Sequence, residues 1–299
     1  MAVAAACTAS PAAPTTADPS RDKLAQILHR GTLVEYFEAD YAPQSYAVEG
    51  VTRAADTRCA PNELTAAEVT GFDNEITKLI AADLGVEACF VSPTWTEVTG
   101  GNWGDRWDIA YGSGAINATR MEHLWMTQPY YYIPQRFIVR EDAPFQVPSD
   151  LDGKAIGTCT SCTVESYLKG TLEIPGVDLR QKVRGPSLVG FETEGPGIDA
   201  LVAGGIDAFL AAEPVGRQAI DEGKPLRLLD EPAFSMYPSG FIDKGSALDT
   251  RALFMRINEI VAGLHRDGKL RALSEQFFGV DYTTEAAAFD LAVLGQTGP

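Results

Sequence analysis

A single arginine follows a run of small and polar residues in the first half of the chain. Arg120 ends the segment SGAINATR, and the aromatic segment PYYY begins nine residues later at Pro129. A guanidinium group presents a planar fork of N–H donors that can hold a carboxylate through two charge-assisted hydrogen bonds. The same side chain could instead pair with Glu122 at the surface. The segment therefore indicates a candidate carboxylate site at Arg120, with a surface ion pair as the alternative.

The five cysteines form a second set of chemically reactive side chains. Cys59 lies within a segment without clear periodicity, residues 47–70, and could pair with Cys89, which follows that segment. Cys159 and Cys162 form the tetrapeptide CTSC and could pair locally; such bonds need an oxidising compartment. A Cys-x-x-Cys at a helix start also resembles a thioredoxin-like redox motif, because helix N-termini lower thiol pKa values. Five reduced, buried cysteines are the remaining alternative.

Patterns for metal binding and nucleophilic catalysis are weak in this sequence. His29, His123 and His265 are scattered, and no second cysteine pair stands at zinc-ligand spacing. There is also no P-loop and no glycine-rich dinucleotide turn after a strand. With so few histidines, no order of Ser, His and Asp residues indicates a catalytic triad. We therefore expect no metal, no cofactor and no catalytic residue.

The composition limits the possible partners. The chain has 299 residues, with 41 Asp and Glu against 24 Lys and Arg and a net charge of −17. This charge repels nucleic acid and anionic lipid, which excludes a nucleic-acid binder of the usual basic kind. The length suits two lobes of ordinary size, and no apolar run approaches the ~20 residues that cross a bilayer.

The N-terminal segment is rich in Ala, Thr, Ser and Pro and cannot bury enough apolar surface to fold. We expect a flexible tether over residues 1–21. Within it, VAAAC resembles the end of a bacterial lipoprotein signal, with Cys7 as the lipid attachment site, although the charged start and most of the apolar region of such a signal are missing. An Ala-rich linker is the alternative.

Strands alternate with helices along the rest of the chain, which is typical of α/β lobes with mainly parallel sheets. Apolar runs predict strands at 32–37, 107–111 and 135–140, among others. The segment GFDNEITKLIAADLG predicts a helix, with Asp73 as its N-cap and Gly85 at its end. The apolar spacing after residue 250 predicts a further amphipathic helix.

Seven segments in order resemble the extracytoplasmic solute-binding proteins of ABC importers, in particular the polar amino-acid-binding family. They are GTLVEYFEADYAPQSY, GFDNEITKLIAADLG, WTEVTGGNWGDRWDIAYGSGAINATR, MTQPYYY, DLDGKAIGTCTSCTVESYL, GIDALVAGGIDAFLAAEP and DGKLRALSEQFFG. The resemblance implies a monomeric α/β protein of the two-lobed type II periplasmic-binding fold, with two crossover strands and a ligand cleft. Lobe one would comprise residues 22–138 and 240–299, and lobe two residues 139–239.

The resemblance assigns the two sides of a carboxylate clamp. Arg120 matches the family's carboxylate-binding arginine, and Ser113 and Ala115 lie where the family contacts the same end of the ligand. Ala115 has no hydroxyl, so only its backbone N–H could serve. From lobe two, Thr163 begins a helix whose free N–H groups would bind the anion, beside Cys162.

The resemblance also places side chains around the rest of the ligand. Tyr41 matches an aromatic residue that stacks on the ligand, and Phe72 matches another aromatic residue of the cleft. Glu38 matches a position where acidic residues meet cationic side chains. Three tryptophans are expected to be structural, although one of them could line the pocket: Trp95, Trp103 and Trp107.

One position departs from the family pattern. The family usually places an aspartate that binds the ligand's α-ammonium group where this chain has Ala212. Either the neighbouring Glu213 takes over that role, or the ligand has no standard α-amino group. The expected ligand is therefore a small carboxylate, an amino acid or a derivative of one.

These features predict an extracytoplasmic binding protein that delivers its ligand to an ABC importer permease by closing the cleft. One alternative is a periplasmic enzyme like the cyclohexadienyl dehydratases, which resemble the same family; Glu213 would be its general acid. A receptor's sensor domain is the third hypothesis, and the absence of a membrane segment after FFGVDY argues against it.

Overall fold

A computed structural model describes residues 17–160, 162–177, 179–191 and 194–296. The proposed lipid site Cys7 and most of the expected tether lie outside the described residues. Residues 17–21 lead directly into the first helix, and the backbone of Arg21 pairs with that of Asp249. In the described part of the chain, no helix combines the length and the apolar character needed to span a membrane.

Helices and strands alternate as the sequence predicts. The described helices are α1 Lys23–Arg30, α2 Phe72–Leu84, α3 Trp95–Gly100, α4 Ala118–His123, α5 Thr163–Leu168, α6 Glu194–Val202, α7 Glu213–Asp221, α8 Arg251–Arg266, α9 Lys269–Phe278 and α10 Thr284–Ala287, with 3-10 turns at Pro148–Leu151 and Leu291–Leu294. The described strands are β1 Thr32–Tyr36, β2 Asp40–Tyr41, β3 Ser45–Ala47, β4 Leu64–Thr65, β5 Val69–Thr70, β6 Glu87–Val91, β7 Leu124–Pro129, β8 Ile133–Arg140, β9 Ala155–Cys159, β10 Ser187–Phe191, β11 Ala208–Ala212, β12 Leu226–Leu228, β13 Phe234–Met236 and β14 Ser239–Asp243.

The first lobe is built on a sheet of strand order β1-β6-β4, in which β1 and β6 are parallel. Successive residues of β1 face opposite sides of the sheet, as the two-residue period of a strand requires. Leu33 packs with the helices α2 and α8, and Val34 packs with a tryptophan-rich cluster on the other face. Because both faces are covered, β1 is buried along its whole length.

The second lobe is built on a six-stranded sheet of order β10-β9-β11-β8-β12, with β13 also paired to β8. The strands β9, β10 and β11 are parallel, whereas β8 runs antiparallel to its neighbours. Apolar clusters cover both faces of this sheet, one around Phe137 and Leu210 and the other around Ile138 and Phe209. The sheet is therefore mixed rather than mainly parallel.

The chain passes between the two sheets twice. It leaves β7 through Tyr130–Tyr132 to enter β8, and it returns from β13 through Tyr237 and Pro238 to enter β14. The strand β8 pairs along its length with β11, β12 and β13, so the expected boundary after residue 138 falls inside one strand. We propose that the lobes divide near residues 132 and 238, which keeps each sheet whole.

The predicted strand at 107–111 is not a continuous strand in the structure. Its residues make isolated bridges, Glu35 to Ile109 and Ala110 to Phe241. Side-chain carboxylates accept some of the backbone hydrogen bonds that a neighbouring strand would otherwise accept. The N–H of Val34 donates to Asp108, and the N–H of Tyr111 donates to Glu35. Sequence periodicity could not anticipate that side chains would occupy these backbone donors.

The helix α2 ends at Gly85 as predicted, because Gly85 adopts the left-handed conformation that closes a helix. The predicted N-cap is wrong. Gly71 holds that position, and Asp73 lies one step inside the helix start with its carboxylate buried. Asp73 bonds instead to side chains from two other segments, which are described with the candidate site.

Both suspected cysteine pairs are disulfides in the structure, Cys59 to Cys89 and Cys159 to Cys162. The first attaches the expected insertion at 47–70 to β6, the central strand of the first sheet. The short strand β4 of that segment also pairs with β6, and β5 pairs with β3. The segment is therefore an integral part of the first lobe.

The two disulfides should differ in how much they stabilise the protein. Replacing Cys59 and Cys89 by serine releases a loop with a sequence separation of 30 residues, against 3 for Cys159 and Cys162. In the chain-entropy model the first change costs about 3–4 kcal/mol of unfolding free energy and the second about 2 kcal/mol. Urea denaturation of the two double variants without reductant measures both losses of unfolding free energy. A larger loss from the CTSC pair would contradict it.

Candidate functional site

A cavity of about 380 Å³ lies where the loops of the two lobes meet. The first lobe supplies most of its wall, Thr163 comes from the second lobe, and Met236 comes from the end of β13. Of the residues predicted from the sequence, the structure brings six together here. The lining residues are Glu38, Tyr41, Trp95, Gly112, Ser113, Gly114, Ala115, Arg120, Thr163 and Met236.

Arg120 is positioned by the short helix α4. The side chain of Asn117 caps this helix by accepting from the Arg120 backbone N–H at 2.9 Å. The guanidinium donates from Nη1 to the Ala115 carbonyl at 2.7 Å and lies over the rings of Trp95 and Phe241, 5.3 and 5.7 Å from their centroids. Burial lowers its pKa, since desolvation disfavours the charged form.

No carboxylate of the described residues pairs with Arg120. The surface ion pair with Glu122, considered as an alternative above, does not form; the neighbour of Glu122 is His123, at 4.0 Å. A half-buried guanidinium with one backbone acceptor and two aromatic faces retains N–H donors for another acceptor. A carboxylate in the cavity would meet this need.

The loop at 112–115 is held in place from behind. The Gly114 carbonyl accepts from the Ser239 N–H at 3.0 Å, and Ile116 donates to Tyr237 at 3.1 Å, so the returning crossover flanks the loop. At Gly114 a Cβ would stand 2.2 Å from the Phe241 ring. The backbone can therefore approach this ring only with glycine at position 114.

Ser113 is the strained residue of this loop. Its φ of 55° lies in the left-handed region, which costs a non-glycine residue free energy unless its surroundings hold it there. Its N–H donates to the Tyr130 hydroxyl at 2.9 Å, its Oγ donates to Asp73 at 2.8 Å, and the Tyr131 hydroxyl donates to the same Oγ at 2.6 Å. The tyrosines of the PYYY segment thus anchor a cavity residue.

Glu38 supplies the carboxylate among the described residues that line the cavity. Its Oε2 accepts from the Tyr36 hydroxyl at 2.8 Å, and its backbone is tied to the Ser45 side chain. Tyr41 lies beside it and is 38% exposed, so its ring is available to a ligand. Burial, together with the charge of Asp73, raises the pKa of Tyr41 to about 12.

Thr163 is the first residue of α5, and Cys162 is the N-cap of that helix. Thr163 lines the cavity, whereas Cys162 is joined to Cys159 by the disulfide directly behind it. The Cys162 side chain makes no capping hydrogen bond, so it does not compete for the N–H groups of the first turn. The disulfide sets the start of this helix, and Thr163 is the residue that reaches the cavity.

Comparison with known proteins agrees with this architecture. The model of the bacterial extracellular solute-binding proteins, family 3, matches residues 51–280. The chain belongs to this family. The two-lobed α/β fold with two crossovers, predicted from the resemblance, is confirmed.

Individual relatives are distant. The chain is 25% identical over 263 residues to the L-cystine-binding protein TcyJ of Escherichia coli, covering 87% of each protein. It resembles the unliganded open L-cystine solute receptor of Neisseria gonorrhoeae with a TM-score of 0.65 at 18% identity, covering 87% of this chain and 99% of that one. It also resembles the ancestral amino acid-binding protein AncCDT-1, described as a precursor of cyclohexadienyl dehydratase, with a TM-score of 0.57 at 23% identity, covering 86% and 99%. The two structural likenesses show the shared fold.

The structure does not bring Phe72 to the cavity of this family-3 protein. Phe72 is fully buried at the start of α2, where its ring packs against Tyr130, Tyr131 and Phe278. Besides Tyr41, the aromatic residue that lines the cavity is Trp95, one of the three tryptophans considered above. Its position soon after β6 was the available signal, because the carboxyl ends of parallel strands border the ligand cleft in α/β folds.

Glu213 is also absent from the cavity lining. It begins α7, is buried, and forms ion pairs with Arg136 and with Arg217, the latter at 2.6 Å. The Tyr282 hydroxyl lies 3.4 Å away. Burial tends to raise the pKa of this carboxyl, but the hydrogen bonds from Arg136 and Arg217 outweigh it and the pKa is lowered.

We expect Glu213→Gln to weaken folding rather than ligand recognition. The change leaves Arg136 without its carboxylate partner, which should cost about 2–3 kcal/mol of unfolding free energy near neutral pH. Because the folded-state pKa is lowered, this contribution is fully present above the unfolded pKa and is lost as the pH falls through the folded-state pKa. Denaturation of the variant across this pH range tests both points.

The matched control is Glu222→Gln near the end of the same helix, where the carboxylate is exposed and bonds only to Gln218 among the described residues. It should leave the stability unchanged within about 0.5 kcal/mol. An equal loss in the two variants, or a loss that grows at acidic pH, would contradict a structural ion pair at Glu213.

Proposed function

We propose that this protein binds a small solute with a carboxylate group, an amino acid or a derivative, outside the cytoplasm and delivers it to an ABC importer. Arg120 is the observation that carries the proposal. Its guanidinium is charged, lines the cavity and has no carboxylate partner among the described residues. Loss of hydration without an ion pair is unfavourable for a cation, so an anionic ligand group stabilises this site.

The second lobe contributes Thr163 to the same cavity. The hydroxyl of Thr163 and the start of α5 offer hydrogen-bond donors, which suits an anion held between the lobes. A ligand that bonds to Arg120 and Thr163 together is in contact with both sheets. Its binding energy then favours the arrangement with the lobes drawn together, which is the basis of cleft closure.

We assign recognition of the ligand's amino group to residues of the first lobe. Position 212 is an alanine, and Glu213 is neutralised by two arginines away from the cavity. Glu38 faces the cavity and has no ion-pair partner within the described residues. The rings of Tyr41 and Trp95 add faces that attract both cations and apolar chains. Together they favour a ligand with a carboxylate at one end and a cationic nitrogen at the other.

The relatives support the same class of ligand. Two of them are named for binding L-cystine and one for binding amino acids. We therefore take L-cystine and L-arginine as first probes, the second because Glu38 suits a cationic side chain. An extracytoplasmic location, a lipid anchor at Cys7 and a monomeric state complete the proposal.

A dehydratase-like activity has less support. The acid expected to carry it, Glu213, does not line the cavity, and its lowered pKa leaves it without a proton to donate near neutral pH. A general acid must reach the atom that it protonates. The arrangement of charges therefore favours binding over catalysis.

Arg120→Ala should abolish the stabilisation by the ligand. At a hundred times its dissociation constant, a bound amino acid adds about 2.7 kcal/mol to the free energy of unfolding. Loss of a desolvated charge pair weakens binding by about a hundredfold, so most of this gain should disappear. Thermal melts with L-cystine, L-arginine and the other L-amino acids measure it, and calorimetry gives the affinities.

Arg106→Ala is the matched control, because this arginine is exposed, pairs with Glu97 and lies outside the cavity. It should keep the ligand-induced shift, and Arg120→Lys should recover only part of it, since an ammonium cannot form the planar fork. A wild-type protein that no amino acid or small carboxylate stabilises would refute the proposed function.

Glu38→Gln should reduce affinity for cationic ligands selectively. The amide can still accept from the Tyr36 hydroxyl, so the change removes mainly the negative charge. We expect binding of L-arginine to fall about tenfold or more, and binding of a ligand without a cationic group to change little. Calorimetry measures both affinities for this variant and for the control Glu122→Gln, which changes an exposed acid outside the cavity. Equal losses for both classes of ligand would contradict the assignment.

A further inference from the structure

A buried carboxylate lies directly behind the cavity wall. Asp73, in the first turn of α2, is fully buried, and no lysine or arginine in the described part of the chain forms an ion pair with it. Its Oδ2 accepts from the Ser113 hydroxyl at 2.8 Å, and its Oδ1 accepts from the Tyr130 hydroxyl at 2.9 Å. Of these residues, Ser113 lines the cavity.

Three neighbours set the hydrogen-bond directions around Ser113, and the Tyr41 side chain also interacts with its hydroxyl. The Tyr130 hydroxyl accepts from the Ser113 N–H and donates its own proton to Asp73. The Tyr131 hydroxyl donates to the Ser113 Oγ. Ser113 therefore donates its single hydroxyl proton to Asp73 and accepts a hydrogen bond from Tyr131 with one lone pair. A serine hydroxyl has one donor and two acceptor sites, so no donor is left, and the second acceptor site is shared between the Tyr41 hydroxyl and a ligand.

We propose that Asp73 is a positioning and specificity-determining residue: its carboxylate takes the Ser113 proton, so that Ser113 meets the ligand as a hydrogen-bond acceptor and selects a cationic nitrogen group. This inference rests on the proposed function and deepens it. It also changes the role expected for Ser113, which the family resemblance assigned to the carboxylate end of the ligand. A carboxylate offers no proton to this acceptor, whereas an ammonium group does.

The surroundings of Asp73 couple this arrangement to pH. The titratable groups that face it are acids and phenols: Glu35, Glu38, Tyr36, Tyr41, Tyr130 and Tyr131. Burial raises the pKa of Asp73 to about 7, although the hydrogen bonds from Ser113 and Tyr130 act in the opposite direction. Protonated Asp73 carries a proton of its own to donate, which conflicts with the Ser113 and Tyr130 hydroxyls that both donate to it.

The sign of the pH dependence follows from linkage. A cationic group bound at Ser113 stabilises the ionised form of Asp73, so the complex holds fewer protons than the free protein. Binding must then tighten as the pH rises through the free protein's pKa. If the complex stays ionised throughout, affinity rises about tenfold between about pH 6 and about pH 8.

The experiment measures affinity against pH for two matched probe pairs. L-Cystine is compared with dithiodipropionic acid, and L-arginine with guanidinopentanoic acid; within each pair only the α-amino groups differ. For wild type, we expect the amino acid that binds to show the tenfold rise and its deaminated partner to bind more weakly with a flat profile. Calorimetry on the full chain without reductant provides both values.

Variants then assign the profile to Asp73. Asp73→Asn should flatten it and reduce the preference for the amino acid over its deaminated partner by about tenfold. Glu35→Gln is the control, because Glu35 is an equally buried carboxyl with a raised pKa that bonds to the Tyr111 N–H and does not touch Ser113. It should keep the rise. Ser113→Gly, which suits the left-handed backbone, should lose the preference while Asp73 remains.

The outcomes separate this inference from the proposed function. A purely structural Asp73 would lower the melting temperature of Asp73→Asn and leave its pH profile like that of wild type, which would overturn the inference. Binding that depends on Arg120 but is flat with pH in wild type would also overturn it, without a folded variant being needed. If wild type binds no probe in either pair and no amino acid in the melt panel, the proposed function fails first and the inference fails with it.

Discussion

The chain crosses twice between the two sheets, and this double crossing constrains how the cavity wall is built. The strands β7 and β14 pair antiparallel in the first lobe, so the outgoing and returning segments leave from one place. The returning segment then flanks the loop at 112–115, and Phe241 of β14 lies under both Gly114 and the Arg120 guanidinium. The outgoing segment supplies the tyrosines that hold Ser113. The cavity wall is thus built on the crossing itself.

This arrangement explains why charged residues of the same type differ in whether they are available to a ligand. Arg120 and Arg136 are both partly buried, but Arg136 is neutralised by Glu213 whereas Arg120 faces the cavity with no carboxylate beside it. Glu38 and Glu213 differ in the same way. A charged side chain is available to a ligand only where the fold has not already paired it. In this protein Arg136 of the second sheet pairs with Glu213, whereas Arg120 and Glu38 line the cavity without an ion-pair partner among the described residues.

Several features could be predicted from the sequence because they depend on neighbours along the chain. The strand β1, the end of α2 at Gly85 and both disulfides follow from apolar runs, a glycine and cysteine spacing. The position of Arg120 near the polar loop also follows, since helix α4 begins within that loop. Asp73 was misplaced as an N-cap because its true partners, Ser113 and Tyr130, are 40 and 57 residues away. That Trp95 rather than Phe72 lines the cavity beside Tyr41 also depends on contacts between distant segments.

The family, the alternation of strands and helices, and the residue types that can hold a carboxylate could be predicted from the sequence alone. These depend on local pattern, and local pattern survives in the linear order of residues. The folded structure was needed to show which acids remain unpaired, which aromatic rings reach the cavity and which way the Ser113 hydroxyl points. Each of these depends on contacts between distant segments. The free energy of such a contact is set by its burial and by which partner the fold places beside each side chain. The linear sequence contains those partners but does not show that they meet.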